Sequence, residues 1–234
     1  MKVLSYGAGV NSTAILALHA QGKYRVDAAI FADTHGEYPG TYNYIKKVTK
    51  PQCEKLGINF HVISEGSVYD YYWNHTIIPF RRFRQCTDKF KIRPLKKFAK
   101  EKFGHEVTWI IGIDYGEQHR ADRFIGQGME FPLIEMEIDR EGCKRLIEVV
   151  GWPIPDKSGC YFCPYQRKDE WVRLLKENRK LFLKAEAFEK NGRGYPEHHL
   201  TRQTLESLRK ATENQKSLCE WVESDGDPCI FCHS

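Results

Sequence analysis

The chain reads as an α/β protein built on a parallel sheet. Three observations say so. Short β-favouring runs alternate with helix-patterned segments as far as Ile113, and the helical segments are long enough for the right-handed crossovers that join parallel strands. A glycine-containing turn also separates the first such run from the first helix.

In chain order, Lys2 to Tyr6 is a short β-favouring run that Gly7 to Asn11 breaks, and Ser12 to Gln21 carries Ile15, Leu16 and Leu18 on a helix that Gly22 can end. Val26 to Ala32 is a second, buried strand. Thr41 to Leu56 is helical with Pro51 interrupting or kinking it, and Asn59 to Ile63 is a third strand. After a long aromatic and basic stretch, Arg93 to Phe103 is helical and Val107 to Ile113 is a strongly apolar strand. Beyond about Gly126 the pattern loosens into helices at Asp139 to Val150, Glu170 to Glu189 and Thr204 to Val222. Pro153, Pro155 and Pro164 bracket Cys160 and Cys163. The boundary falls between Gly126 and Gly151, giving an α/β domain over 1–135 and a helical, cysteine-bearing subdomain over 136–234. No repeat or low-complexity segment interrupts this plan.

Composition narrows the function classes. At 234 residues the chain suits one main domain with an appended subdomain, large enough to fold without a metal or disulfide. Its longest apolar stretch, Val107 to Ile113, is far short of the roughly 18 residues a spanning helix needs. Ser5, Asn11, Ser12 and Thr13 interrupt the segment after Lys2 that could mimic a secretory leader, so the expected location is cytoplasmic. Thiols stay reduced there, and eight cysteines with two Cys-x-x-Cys pairs point to metal or redox chemistry rather than disulfides. The net charge of +5 identifies no partner by itself.

The turn, Ser5-Tyr6-Gly7-Ala8-Gly9-Val10-Asn11-Ser12-Thr13, can hold a phosphate on consecutive backbone N–H groups and a helix N-terminus. It lacks the Gly-Lys-Ser/Thr of a Walker loop. It fits a dinucleotide fingerprint through Gly7, Gly9 and Asp33 but misses the third glycine, and it also fits the pyrophosphatase loop of ATP-adenylating enzymes. The loop alone leaves these open.

Ordered blocks over nearly the whole chain decide among them. Besides the loop they are Phe31-Ala32-Asp33-Thr34-His35-Gly36-Glu37-Tyr38-Pro39, Gln85-Cys86-Thr87-Asp88-Lys89-Phe90-Lys91-Ile92-Arg93-Pro94, Gly112-Ile113-Asp114 through Glu117 to Arg120, and Ser158-Gly159-Cys160-Tyr161-Phe162-Cys163-Pro164. In these the chain resembles the phosphoadenylyl-sulfate reductases and their relatives, the N-type ATP pyrophosphatases that include DndC-like enzymes of DNA phosphorothioation. The resemblance implies a Rossmann-like, adenine nucleotide alpha hydrolase-like sheet, with 1–135 as its nucleotide-binding domain. It implies an ATP and Mg²⁺ site on Ser5, Gly7, Gly9, Asn11, Ser12, Thr13, Asp33, Thr34, Gly112 and Glu117. Two departures stand out at the loop: Ala8 replaces a glycine, and Asn11 replaces an Asp whose charge could help hold Mg²⁺. At Gln85 the iron–sulfur reductases have a second, adjacent cysteine.

Cys160-x-x-Cys163 and Cys229-x-x-Cys232 each place two thiolates at a spacing suited to a shared metal. With Cys86 they make a soft-metal site, and the resemblance favours a [4Fe-4S] cluster over Zn²⁺. Cys232 reads as a ligand first and as a sulfur-attacking nucleophile second; Cys53 and Cys143 read as small core residues. From Arg81 to Lys102 ten Lys or Arg face two acids, a block of +8 that leaves −3 elsewhere. Within it Arg84, Lys89, Lys91 and Arg93 are the expected anion contacts, whereas Lys96 to Lys102 read as the solvated face of a helix. Arg120 is placed at a strand's C-terminal end to pair with phosphate or sulfate, with Glu117 beside it.

The expected function is adenylation of a nucleic-acid substrate for sulfur incorporation, with Asp33, Arg120 and Cys232 as the reacting groups. Candidate partners are DNA or tRNA, a cysteine desulfurase or other sulfur donor, and a second copy of the chain, but no membrane. The alternatives are reduction of a sulfonucleotide and a nucleotide- or nucleic-acid-binding module whose Asn11 marks lost catalysis.

Overall fold

Parallel strands in the order β3-β2-β1-β4-β5 form the centre of a computed structural model that describes residues 1–79, 84–104, 107–124 and 126–224. The strands are β1 (Lys2–Ser5), β2 (Ala28–Ala32), β3 (Asn59–Ile63), β4 (Thr108–Ile111) and β5 (Met129–Glu130). Ser5 at the end of β1 is paired with Ile30 on one side and Ile111 on the other. The α/β reading and its parallel sheet are thus correct.

Alternation of side chains explains how both faces are covered. Leu4, Ala29, Phe31 and Ile110 pack with Ile15, Leu16 and Leu18 of α1 (Val10–Ala20), together with Cys143 and Ile147. Val3, Ala28, Ile30 and Ala32 face the other way, onto Leu95 and Ala99. All five residues of β2 are buried, as expected of a parallel strand enclosed on both sides.

The helical run predicted from Thr41 to Leu56 consists of α2 (Pro39–Tyr44), a π-helical segment at Ile45–Thr49 and α3 (Lys50–Lys55). Pro51 falls in the first turn of α3 directly after the π segment, with the backbone helical through Thr49 and Lys50, so the run is interrupted in its hydrogen bonding but not broken. The same arrangement recurs downstream. After α4 (Val68–Asn74), α5 (Gln85–Thr87) leads into a π segment at Asp88–Ile92, and Pro94 sits in the first turn of α6 (Arg93–Phe103). Widening the helix before each proline accommodates the missing N–H.

Short 3₁₀ turns at Tyr115–Arg120 and Asp122–Phe124 follow β4, and α7 (Pro132–Glu135) follows β5. In α8 (Arg140–Val149), Asp139 caps the start by accepting the Gly142 N–H at 2.7 Å, and Cys143 and Ile147 are buried in the α1 core. This corrects the boundary at 135/136. The chain divides into Met1–Val68 with Gln85–Cys160, and Tyr69–Arg84 with Tyr161–Ser234. The apolar stripe of α8 completes the cover over α1, so 136–160 belongs with the sheet.

In the second unit, α9 (Lys168–Glu177) and α10 (Arg179–Asn191) replace the single helix expected from Glu170 to Glu189. Asn178 breaks it with extended backbone and accepts the Leu181 N–H, starting α10. Glu189 is fully buried, and burial holds its carboxyl above the usual range. Its two oxygens accept the Leu200 N–H at 2.8 Å and the Leu205 N–H at 2.7 Å, the second at the start of α11 (Leu205–Ser224). No helix among the described residues is long and apolar enough to cross a membrane.

Tyr6, just after β1, ties the sheet to both the first helix and the first π segment. Its hydroxyl meets Thr13 Oγ1 at 3.2 Å and Thr49 Oγ1 at 2.7 Å, and burial pushes its pKa up to about 12. Replacing Tyr6 by Phe removes a partner from two buried threonine hydroxyls and is expected to cost about 1 kcal/mol, read as a lower denaturant midpoint.

Candidate functional site

The strand order reverses between β1 and β4, so the crevice at their C-terminal ends is the switch point where open α/β sheets take ligands. The loop from Tyr6 to Gly9 leaves β1 into this crevice. Gly9 caps α1 with no side chain, and the first turn of α1 contains no acid, so its amide N–H groups and the positive end of its dipole face a ligand. Ser12 shapes the loop from within: its Oγ accepts the Gly7 N–H at 3.3 Å and donates to the Gly9 carbonyl at 3.2 Å. A Cβ on Gly7 would meet no atom within 4 Å, which leaves open space beside the turn. Ala8 takes φ +55°, a left-handed conformation that glycine would adopt at less cost.

The exit of β4 presses against this loop. A Cβ on Gly112 would lie 3.0 Å from the Ser12 backbone nitrogen, closer than nearly all real Cβ contacts, so any side chain there asks the two segments to part by a few tenths of an ångström. Asn11, the departure from the pyrophosphatase pattern, is buried there. Its Nδ2 donates to Asp114 Oδ2 at 2.9 Å, and its Oδ1 accepts from Arg140 Nη1 at 3.1 Å.

The segment from Asp156 to Cys160 runs along the loops that follow β1 and β2. A Cβ on Gly9 would lie 2.9 Å from Ser158 Oγ, Tyr38 N–H donates to the Gly159 carbonyl at 3.2 Å, and Glu37 and Cys160 form an antiparallel bridge. Directly opposed residues project their side chains to the same side. Cys160 Sγ lies 3.2 Å from Thr34 Oγ1. Glu37 is buried, with Oε1 accepting from Lys91 Nζ at 3.0 Å and Oε2 lacking a hydrogen-bond partner.

Of the residues expected at the nucleotide, the structure gathers Gly7, Gly9, Asn11, Ser12 and Gly112 at the loop. It places Thr34 beside Cys160. Ser5 ends β1 immediately before the loop. Thr13 is corrected: it is 1% exposed, its hydroxyl is turned to Tyr6 and its N–H bonds to the Gly9 carbonyl. Asp33 follows β2 with its Oδ1 accepting the His35 N–H and the Tyr42 hydroxyl, both at 2.8 Å. Burial first, and then this carboxylate, raise the pKa of Tyr42.

The expected anion contacts are distributed differently. Lys91 is joined to buried Glu37, Arg93 pairs with Asp88 at 2.6 Å, and Arg120 pairs with Glu117. Lys89 lies over the Phe90 ring, and Arg84, in the second unit, lies over the Tyr165 ring. Neighbouring acids in the fold thus pair with Lys91 and Arg93. Asp114, Glu37, Ser158 and Arg140 complete the site. The first three lie in the ordered blocks without a role assigned to them, and Arg140 carries no signal in the sequence.

Cys53 and Cys143 are core residues, as expected, and burial pushes both thiols up to about 12. Cys86, Cys160 and Cys163 are partly exposed thiols. Cys229 and Cys232 lie outside the described residues. Among the described residues no three His, Cys, Asp or Glu side chains are close enough to hold a metal ion.

A glycine loop without a Walker lysine, seated at the switch point of a parallel sheet, defines an α/β protein with a phosphate-binding loop. The chain belongs to the phosphoadenosine phosphosulfate reductase domain family, whose model matches residues 2–124, over half of its length. Two uncharacterised proteins of Methanocaldococcus jannaschii are similar to it. One is 28% identical over 221 residues, covering 84% of this chain and 42% of that protein; the other is 28% identical over 169 residues, covering 66% and 39%. The chain therefore spans about four-tenths of the length of these relatives. Among solved structures, it is similar to the U34-tRNA thiolase NcsA from Methanococcus maripaludis with its [4Fe-4S] cluster. That match has 16% identity and a TM-score of 0.51, over 100% of this chain and 76% of the thiolase. Another is phosphoadenylyl-sulfate reductase from Candida auris in a phosphate complex, with 17% identity and a TM-score of 0.47 over 68% of this chain and 80% of that one. The Rossmann-like sheet is what the chain shares with the thiolase structure.

Replacing Gly112 by Ala drives a methyl group into the first turn of α1. It is expected to weaken ATP or pyrophosphate binding by about tenfold or more without unfolding the sheet, as read by calorimetric titration and circular dichroism.

Proposed function

We propose that the chain binds ATP in the loop from Gly7 to Ser12 and adenylates a nucleic-acid substrate for sulfur incorporation. The carrying observation is the uncapped start of α1 at the switch point, with Ser158 and Cys160 on the segment that passes Gly9. Family membership and the fold shared with a tRNA thiolase support the reading, and that thiolase's name makes tRNA the first acceptor to test.

In this scheme the loop amides hold the phosphates. An acceptor oxygen attacks the α-phosphorus, the bond to the β-phosphate oxygen breaks, and pyrophosphate leaves. Mg²⁺ carried with the nucleotide offsets the charge of the phosphates. The terminal sulfur of a persulfide-bearing donor such as a cysteine desulfurase then attacks the activated carbon, AMP leaves with the acceptor oxygen, and a second thiol reduces the resulting disulfide, releasing the thiolated product and ending disulfide-bonded to the donor cysteine. Asp33 and Thr34 line the β2 side of the site. The Arg120–Glu117 pair must open for Arg120 to reach phosphate. A cluster on Cys160, Cys163 and Cys86 needs the tail residues Cys229 and Cys232 to complete its ligands, and no step above depends on it. The family's own description supports a second reading, in which adenylyl sulfate or its 3′-phosphorylated form occupies the loop and a tail cysteine, Cys232 first, takes the sulfonate.

Incubation with ATP and Mg²⁺ is expected to release pyrophosphate only when bulk tRNA or DNA is added. Sulfite release from a sulfonucleotide with a thiol reductant, and no pyrophosphate, would replace adenylation by reduction; failure to bind any adenine nucleotide ends both readings. Protein purified without oxygen is expected to absorb broadly near about 400 nm if the cysteines hold a cluster, whereas colourless protein with stoichiometric zinc makes the site a zinc site.

A further inference from the structure

Asn11 departs from the Asp of the pyrophosphatase loop, and its surroundings give the reason. Asn11 is 8% exposed and Asp114 is 4% exposed. The amide donates to the Asp114 carboxylate at 2.9 Å and accepts from the Arg140 guanidinium at 3.1 Å. An amide can serve an anion on one side and a cation on the other, which an ionised carboxylate, having no donor, cannot. An Asp at position 11 could accept from Arg140, but it would set a second carboxylate at hydrogen-bond distance from Asp114, where two negative charges cannot both persist. Positions 11 and 114 together therefore carry one carboxylate, and it sits on the β4 side of the crevice.

That carboxylate is half committed. Oδ2 is held by Asn11, and among the described residues no protein donor reaches Oδ1. The chain that carries it presses on the phosphate loop, since Gly112, two residues earlier, abuts the Ser12 backbone nitrogen. A fixed carboxylate oxygen at the edge of a polyphosphate cradle repels the bare nucleotide and attracts its hard divalent cation.

We propose that Asp114 is the carboxylate that takes the magnesium ion of a nucleotide held in the loop, and that Asn11 and Arg140 are positioning residues that hold it there. This rests on the nucleotide reading above and goes beyond it by assigning the metal contact to a strand the loop motif does not contain. It also removes Asn11 as a mark of lost catalysis: the charge has moved from position 11 to position 114.

The test is calorimetric titration of the protein with a non-hydrolysable α,β-methylene analogue of ATP, in Mg²⁺ and in EDTA. For the unaltered chain, Mg²⁺ is expected to tighten binding by about tenfold or more. Asp114→Asn is nearly isosteric; it should abolish that enhancement while leaving metal-free binding as tight as before or tighter. Asn11→Asp alone should weaken binding in Mg²⁺, and the reciprocal exchange Asn11→Asp with Asp114→Asn should restore the Mg²⁺ enhancement. Retention of the full enhancement by Asp114→Asn, or equal affinity of the unaltered chain with and without Mg²⁺, overturns the assignment and leaves nucleotide binding standing. No binding under either condition removes the nucleotide reading together with this one. Thermal melts of each variant separate loss of fold from loss of metal response.

Discussion

Everything at the site depends on a close backbone approach: the chain leaving β4 at Gly112 touches the first turn of α1 at Asn11 and Ser12. The two elements are neighbours because β1 sits between β2 and β4, so the order of strands reverses beside it. A side chain at 112 would wedge the crevice open and take Asp114 away from Asn11. The glycines of the loop give it its curvature, while the glycine across the crevice brings the opposing carboxylate within reach.

A second layer of constraint comes from buried polar pairs that span the chain. Tyr6 fastens β1 to Thr13 and Thr49, Glu37 fastens the loop after β2 to Lys91, and Asn11 bridges Asp114 and Arg140. Each pair joins a segment of the site to a different helical run. Such groups are costly to leave unpartnered in a dry interior, so they define one arrangement of the loops more sharply than apolar contacts would. Both π segments serve this layer: Thr49 closes one and Lys91 lies within the other.

The sequence told more about elements than about partners. The limits of β3 and α6 match the expectation residue for residue, because apolar periodicity and turn residues mark their ends locally. By contrast, β5 has two residues, too few for any periodicity, and α4 lies in an aromatic stretch without a clean apolar stripe. The break at Asn178 was hidden because apolar spacing continues through it. At the site, the glycine loop was legible because its chemistry is written in consecutive residues. Asn11 and Arg140 are 129 positions apart and Glu37 and Lys91 are 54 apart, so no local pattern could have disclosed either partnership. Within the basic block the pairing of Lys91 with Glu37, which lies outside it, was equally out of reach of the summed charge.

Ala8 bears on how the loop meets its ligand. A methyl group held at φ +55° strains the folded turn, yet it also denies the loop the many alternative shapes open to glycine. Less conformational freedom then remains to be lost when an anion arrives. The consequence is preorganisation: the turn holds one shape without help from a ligand, and strain stored in the peptide chain stands in for ordering that would otherwise have to be imposed.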